Sequence, residues 1–148
     1  MADYYLEDFE PGRTYTSPTR TVTEAEALEF ARRYDPQYFH LDPVAARDSV
    51  FGGLVIGGFQ TAAIAWALVH ETGMFERSAI AGIGIDELRW HKPVRPGDGL
   101  RCDFTLLDAR PSRTQADRGV ARFRYELKNQ RDEIALSLTI IQLLRRRP

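Results

Sequence analysis

The chain has 148 residues, of which 43% are hydrophobic and 28% are charged, and its formal net charge is −1. This length suits one domain with a substantial core, and the near-neutral charge gives no electrostatic basis for binding nucleic acid or an anionic membrane surface. Cys102 is the only cysteine, which excludes an intrachain disulfide and a multi-cysteine metal site.

The apolar segments do not have the pattern of a membrane protein. Residues 1–11 are acidic and aromatic, without the basic and then apolar order of a signal peptide. A membrane span needs about 20 apolar residues, and the longest apolar stretch, Leu54–Val69, is shorter than that. It also contains the polar residues Gln60 and Thr61. We therefore expect a cytoplasmic protein in which this stretch is a buried helix.

The first third of the chain indicates one strand and two helices. Thr14–Val22 has the composition of a strand. Thr23-Glu24-Ala25-Glu26 has the pattern of a capping box, in which the threonine accepts from a free helix amide and the Glu26 side chain reaches back. Asp35-Pro36 ends that helix, because the residue before proline avoids helical backbone angles. Asp42-Pro43 then predicts a short helix that reaches about Asp48.

A long helix is predicted from about Gly58 to Glu71. Its side chains are apolar on nearly all sides, so we expect other elements to surround it. Strands are predicted at Ala79–Trp90, Leu100–Leu107, Ala121–Leu127 and Ile134–Leu144. The third of these alternates strictly between apolar and charged residues, whereas the last is apolar on both faces and is therefore expected in the interior of the sheet. The sequence thus predicts an α+β fold, an antiparallel sheet curled around one helix.

Asp35 and His40 are the first candidates for chemistry. They lie on a proline-stiffened segment between two predicted helices, so an acid and an imidazole can converge there for general acid–base work. Spacing alone also allows a structural interpretation, in which His40 is hydrogen-bonded within the loop and Asp35 caps the end of the helix.

The glycine-rich segment 52–58 is the second candidate. It precedes the long helix, whose N-terminal amides suit an oxygen that gains negative charge. Glycine would let a substrate carbonyl approach that backbone closely. The alternative is that these glycines only permit tight packing and a bend.

Residues 35–42, Asp-Pro-Gln-Tyr-Phe-His-Leu-Asp, resemble the hydratase motif of the MaoC-like family, the (R)-specific enoyl-CoA hydratases and related dehydratases. The spacing from this motif to the glycine at the start of the long helix also matches and falls on Gly58. Residues 86–98 are similar to a strand and bend of the same family. These segments occur in the family's order, and the resemblance covers nearly the whole chain.

The resemblance implies that residues 1–148 form a single hot-dog domain, a long central helix wrapped by a curved antiparallel sheet. It further implies a homodimer or a dimer of dimers with active sites at the subunit interface. The reaction would be reversible addition of water across the 2,3 double bond of an enoyl thioester, usually on coenzyme A. Asp35 and His40 would activate the water and exchange the proton, and the Gly58 amide would polarise the thioester carbonyl. No metal or redox cofactor is implied, and coenzyme A serves only as the carrier of the acyl substrate.

Two positions depart from the family pattern. Tyr38 stands where a proline is common, and Gly57 stands where a serine or histidine often precedes the key glycine. These changes bear on the substrate more than on the acid–base pair. A hot-dog thioesterase is the alternative enzyme, but it usually places a carboxylate at the start of the long helix, and no acidic residue lies between Phe51 and His70. A non-catalytic acyl-thioester binding protein is the other alternative, although it would not need both Asp35 and His40.

The remaining candidate residues have structural interpretations. We expect His70 to be a cation at the C-terminal end of the long helix, where the dipole favours positive charge. We expect His91 at the surface, with a place at the border of the cofactor groove as the alternative. We expect Trp66 and Trp90 in the core or an interface rather than as a stacking platform for adenine. Arg110 and Arg113 are expected in a solvated loop.

Overall fold

The structure, a computed structural model, describes residues 4–148. Residues 1–3, which belong to the predicted domain and to the N-terminal segment 1–11, lie outside the described part. The helices and strands are α1 Glu24–Tyr34, α2 Tyr38–Leu41, α3 Gly58–His70, β1 Thr14–Thr16, β2 Arg20–Thr21, β3 Ala79–Trp90, β4 Gly99–Pro111, β5 Arg118–Lys128 and β6 Ile134–Arg145, with short 3₁₀ turns at Leu6–Asp8 and Ala45–Asp48.

The strands form one antiparallel sheet in the order β1-β4-β5-β6-β3, and β2 also pairs with β4. The predicted alternation within residues 121–127 of β5 is confirmed, because the four apolar residues are fully buried and the charged residues between them are partly exposed. The predicted interior position of β6 is confirmed as well. Since β6 pairs with β3 and β5, it has no free edge that could pair with a second subunit.

The long helix packs against β4 and β5 with Ile64, Ala65, Leu68 and Val69 buried. The expectation that it is surrounded on all sides is wrong, because Phe59 is 68% exposed and Trp66 is 37% exposed. The curved sheet of one chain covers only one side of the helix. The opposite side, next to the edge strand β3, is left open.

The N-terminal half differs from the prediction in two local features. The strand expected at Thr14–Val22 is interrupted at Pro18, which has no amide hydrogen for a sheet ladder. Thr23 caps α1 as predicted, with its Oγ1 accepting from the amide of Glu26 at 3.2 Å, but the described hydrogen bonds include no return bond from the Glu26 side chain. The additional one-turn helix α2 carries His40 and was not predicted, because four residues show no periodicity.

Candidate active site

The structure brings Asp35 and His40 together. Asp35 caps the C-terminal end of α1, and His40 lies in the single turn of α2. The Nε2 atom of His40 is 3.4 Å from Oδ2 of Asp35, and the two side chains are only 8% and 13% exposed. The short connection through Pro36 therefore turns both groups toward one small volume.

The other nitrogen of the His40 ring fixes its tautomer. Nδ1 lies 2.7 Å from the carbonyl oxygen of Val55. Because a carbonyl only accepts, Nδ1 carries the proton, and Nε2 is left to exchange a proton beside Asp35. One nitrogen of His40 thus has a structural hydrogen bond, although its partner is Val55 and not a group of the same loop as the structural interpretation required. The second nitrogen remains available for chemistry.

Two contacts that the sequence analysis missed hold the Asp35 carboxylate. The side-chain amide of Gln37 donates to Oδ1 at 2.7 Å, which leaves Oδ2 toward His40. A β-carbon at Gly57 would lie only 2.7 Å from Oδ2. Gly57 therefore leaves the space in which the Asp35 carboxylate lies. The expectation that this departure from the family pattern bears on the substrate more than on the acid–base pair is wrong.

Gly58 is the first residue of α3, so its amide has no partner four residues earlier within the helix. The Trp90 ring packs against it, since a β-carbon at Gly58 would lie 2.6 Å from that ring. The indole N–H of Trp90 donates to the Gly58 carbonyl at 3.0 Å. Tight packing and an available amide thus occur at the same glycine, so the two interpretations of this segment do not exclude each other.

A cavity of about 540 Å³ unites these groups, because Asp35, His40 and Gly58 all contribute to its wall. Its apolar walls are largely aromatic and include Phe39, Phe51, Phe59 and Trp90, and its polar walls include Thr61, His91 and Lys92. An elongated, mostly apolar ligand with one polar reacting group fits such a lining.

Trp90 and His91 both line the cavity. His91 is exposed at the end of β3, so its predicted surface position is confirmed. Trp90 is 51% exposed, so it does not belong to the core of the chain. The Nε2 atom of His91 lies 2.7 Å from the hydroxyl of Ser137, a contact that holds the ring at the end of β3. The sequence signal that could have located them is their position just before the bend at Pro93.

His70, Arg110 and Arg113 do not line this cavity. Burial lowers the pKa of His70, whose ring is tilted against that of Trp66, with 4.4 Å between the centroids. The expectation of a cationic His70 stabilised by the helix dipole is therefore wrong, because desolvation favours the neutral ring. Arg110 belongs to β4, which is longer than predicted, and Arg113 lies in the turn that follows.

Comparison with known proteins identifies the family. A model of the MaoC-like domain matches residues 8–125. The chain belongs to the MaoC-like dehydratase family. A crystal structure of the MaoC-like dehydratase from Rhodospirillum rubrum is 37% identical, with a TM-score of 0.89 over 98% of this chain and 99% of that one. Protein MaoC of Klebsiella aerogenes is 37% identical over 68% of this chain, which spans only 30% of that relative's length.

More distant structures confirm the hot-dog fold of this MaoC-like chain. R-hydratase PhaJ1 of Pseudomonas aeruginosa is 19% identical, with a TM-score of 0.77 over 99% of this chain and 88% of that one. Rv0216 of Mycobacterium tuberculosis, described as having a double hot-dog fold, is 18% identical, with a TM-score of 0.80 over 99% of this chain and 45% of that one. At these identities the likeness concerns the fold alone.

Two further observations apply to residues 4–148 of the MaoC-like chain. Within that range no helix is long and apolar enough to cross a membrane. Over the same residues no three side chains of His, Cys, Asp or Glu are grouped so that they could hold a metal ion.

Proposed function

We propose that this MaoC-like protein is an (R)-specific hydratase and dehydratase of 2,3-enoyl thioesters, with coenzyme A as the thioester carrier. The observation that carries the proposal is the pairing of His40 Nε2 with Asp35 Oδ2 at 3.4 Å on the wall of a largely apolar cavity. An acid–base pair next to a free helix N-terminus meets the two needs of hydration, which are proton transfer and stabilisation of an enolate-like oxygen.

The protonation of His40 suggests how water is bound. With Nδ1 committed to Val55, both Nε2 and the Asp35 carboxylate are hydrogen-bond acceptors. One water molecule can donate a hydrogen to each of them, which turns its oxygen lone pairs outward toward the substrate. The pair then removes one proton as the oxygen bonds to C3.

The same arrangement accounts for the protonation of C2 and for the charge that develops on the thioester oxygen. The proton taken from water is returned to C2, so that the elements of one water molecule are added across the double bond. Negative charge that develops on the thioester oxygen is stabilised by the Gly58 amide and by the partial positive charge of the α3 N-terminus. The proposed reaction involves no change of oxidation state, so it uses no redox cofactor.

A thioesterase is the second candidate, because a specific contact supports it. No acidic residue lies between Phe51 and His70, but the Asp35 carboxylate lies next to Gly57 at the start of α3. A carboxylate from another segment thus occupies the region where hydrolysis would need one. The His40 ring beside it favours hydration, since a hydrolytic water needs one base whereas hydration also returns a proton to carbon.

We also propose that the functional unit is a homodimer, alone or within a dimer of dimers, and that it works in the cytoplasm. β3 is an edge strand of the sheet and exposes Ile83 and Ile85. Phe59 and Trp90 are exposed on the same open side and also line the cavity. A second copy on this side would cover an apolar surface and complete the cavity wall.

The experiment follows the loss of the conjugated thioester absorbance with short trans-2-enoyl-CoAs. Asp35→Asn and His40→Ala should each lower turnover by about 10²–10⁴-fold while circular dichroism shows an intact fold. Chiral analysis of the product should give the (R)-3-hydroxyacyl thioester. Thiol release without loss of the double bond would support the thioesterase instead, and the absence of both reactions across a panel of acyl chains would contradict an enzymatic function.

A further inference from the structure

The Gly57 carbonyl accepts two hydrogen bonds from the same residue. The backbone amide of Thr61 donates to it at 2.9 Å, and the Thr61 hydroxyl donates to it at 3.0 Å. Only the first is needed for the helix. Thr61 is 3% exposed and contributes to the wall of the cavity that holds Asp35 and His40.

The geometry of the peptide group connects this carbonyl to the reaction. The C=O of Gly57 and the N–H of Gly58 belong to one peptide unit, and no cis peptide occurs in the part of the chain that is described. In a planar trans unit the two bonds point in opposite directions. The carbonyl points into the helix toward Thr61, so the Gly58 N–H points out of the helix N-terminus.

We propose that the Thr61 hydroxyl is a positioning residue for the Gly58 amide, through which it acts on the thioester carbonyl. This inference rests on the proposed function. The second hydrogen bond restricts rotation of the Gly57–Gly58 peptide, the part of α3 with the fewest intrahelical bonds. It also polarises that peptide, because hydrogen bonds in a chain strengthen one another, and this makes the Gly58 N–H a stronger donor.

The chain offers a matched pair of variants. Thr61→Val keeps the shape and the backbone bond but removes the hydroxyl, and Thr61→Ser keeps the hydroxyl. We expect Thr61→Val to lower kcat by about threefold to tenfold, the effect of one neutral hydrogen bond, with KM unchanged. Thr61→Ser should recover most of the rate. Thr61→Ala also removes the hydroxyl and is measured beside them, so the prediction can still be tested if the valine variant does not fold.

A spectroscopic measurement separates positioning from a loss of folded enzyme. Butyryl-CoA labelled with ¹³C at the thioester carbonyl cannot be hydrated, and its carbonyl stretch can be followed by difference infrared spectroscopy on the bound complex. In the wild type the Gly58 amide should shift this band to lower frequency than in free butyryl-CoA. The shift should decrease in Thr61→Val and return in Thr61→Ser.

The outcomes distinguish the two proposals. A wild-type shift that persists in full in both Thr61→Val and Thr61→Ala overturns the role of Thr61 and leaves the hydratase standing. The absence of a shift in wild-type protein that binds the ligand contradicts the role of Gly58 itself, and with it this part of the proposed function.

Discussion

The Asp35 carboxylate lies directly against the backbone of Gly57, with Oδ2 only 2.7 Å from the position that a β-carbon would take. These residues are far apart in sequence and belong to different ends of the site, Asp35 at the end of α1 and Gly57 just before α3. The contact links the acid–base pair to the helix N-terminus. It also gives Gly57 a steric role that its lack of a side chain did not reveal.

Gly57→Ala should therefore displace Asp35 rather than unfold the protein. A shift of about 1 Å in a catalytic group can cost on the order of 100-fold in rate, and we expect a loss of kcat of that size. Enoyl-CoA hydration and a thermal melt are measured together. Gly99→Ala is the matched control, because a β-carbon there meets only Thr19 and Gln130 at ordinary contact distances of 3.7 and 4.0 Å. Equal activity of Gly57→Ala and wild type would contradict the steric role.

Gln37 should set the orientation of the same carboxylate through its bond to Oδ1. Gln37→Ala removes this bond at an exposed position, and we expect kcat to fall by about tenfold, the effect of one hydrogen bond to a charged group. Gln37→Glu places a second carboxylate beside Asp35, and the repulsion should move the acid limb of the pH–rate profile to higher pH. A profile of Gln37→Glu that coincides with the wild-type profile would show that Gln37 does not hold Asp35.

The sequence predicted the parts of this site that lie close together along the chain. Asp35 and His40 converge because one short segment carries both, and α3 begins at Gly58, where the glycine-rich segment ends. The contacts of Gly57 with Asp35 and of Gly58 with Trp90 join distant segments. They depend on how α1 and β3 pack back against α3, and no local spacing encodes that packing.

The fold shows the same limit. The alternation of β5 and the double-sided apolar pattern of β6 predicted their places in the sheet, because those patterns reflect burial of individual strands. The all-round apolar pattern of α3 was misleading, since it also includes Phe59 and Trp66 on the open side. An apolar pattern on all sides predicts that the whole helix surface is buried. It does not tell whether the same chain or a second chain buries it.

Gly58 and Trp90 should behave as a coupled pair. Gly58→Ala forces a β-carbon into the Trp90 ring, so the ring must move away from the helix N-terminus. We expect a loss of activity together with a change in tryptophan fluorescence. Trp90→Phe keeps an aromatic wall and removes only the bond to the Gly58 carbonyl, so its activity loss should be several-fold smaller. The measurement is made in a Trp66→Phe background, so that the fluorescence comes from Trp90 alone. Emission of Gly58→Ala that matches the wild-type residue at position 58 would contradict displacement of the Trp90 ring.

Asp103 should make the stability of the fold depend on acid. Burial alone would raise the pKa of this carboxyl, but hydrogen bonds from Lys128 and Thr16 outweigh it, and the net pKa is lowered. A lowered folded-state pKa gives stability that is complete above the unfolded-state value, near 3.9, and is lost as the pH falls through the folded-state value.

Asp103→Asn should therefore destabilise the protein at pH 7 by roughly 1–3 kcal/mol, and the difference from wild type should shrink below about pH 4. Urea unfolding at a series of pH values measures it. Asp108→Asn, which breaks an exposed ion pair with Arg122, is the control and should change stability by less than about 1 kcal/mol. A difference for Asp103→Asn that stays constant down to pH 2 would contradict the assignment.

The open side of β3 is the proposed subunit interface. Ile85 is 52% exposed on the edge strand whose last residue, Trp90, lines the cavity. If a second copy covers this strand, Ile85→Lys places a charge in the interface and should convert a dimer to a monomer, with loss of turnover through the uncovered Phe59 and Trp90. Leu107→Lys changes an exposed apolar residue on β4 and should leave the dimer intact. Sedimentation velocity gives the mass of each variant, and a wild-type protein that is monomeric at concentrations where it turns over would contradict the interface.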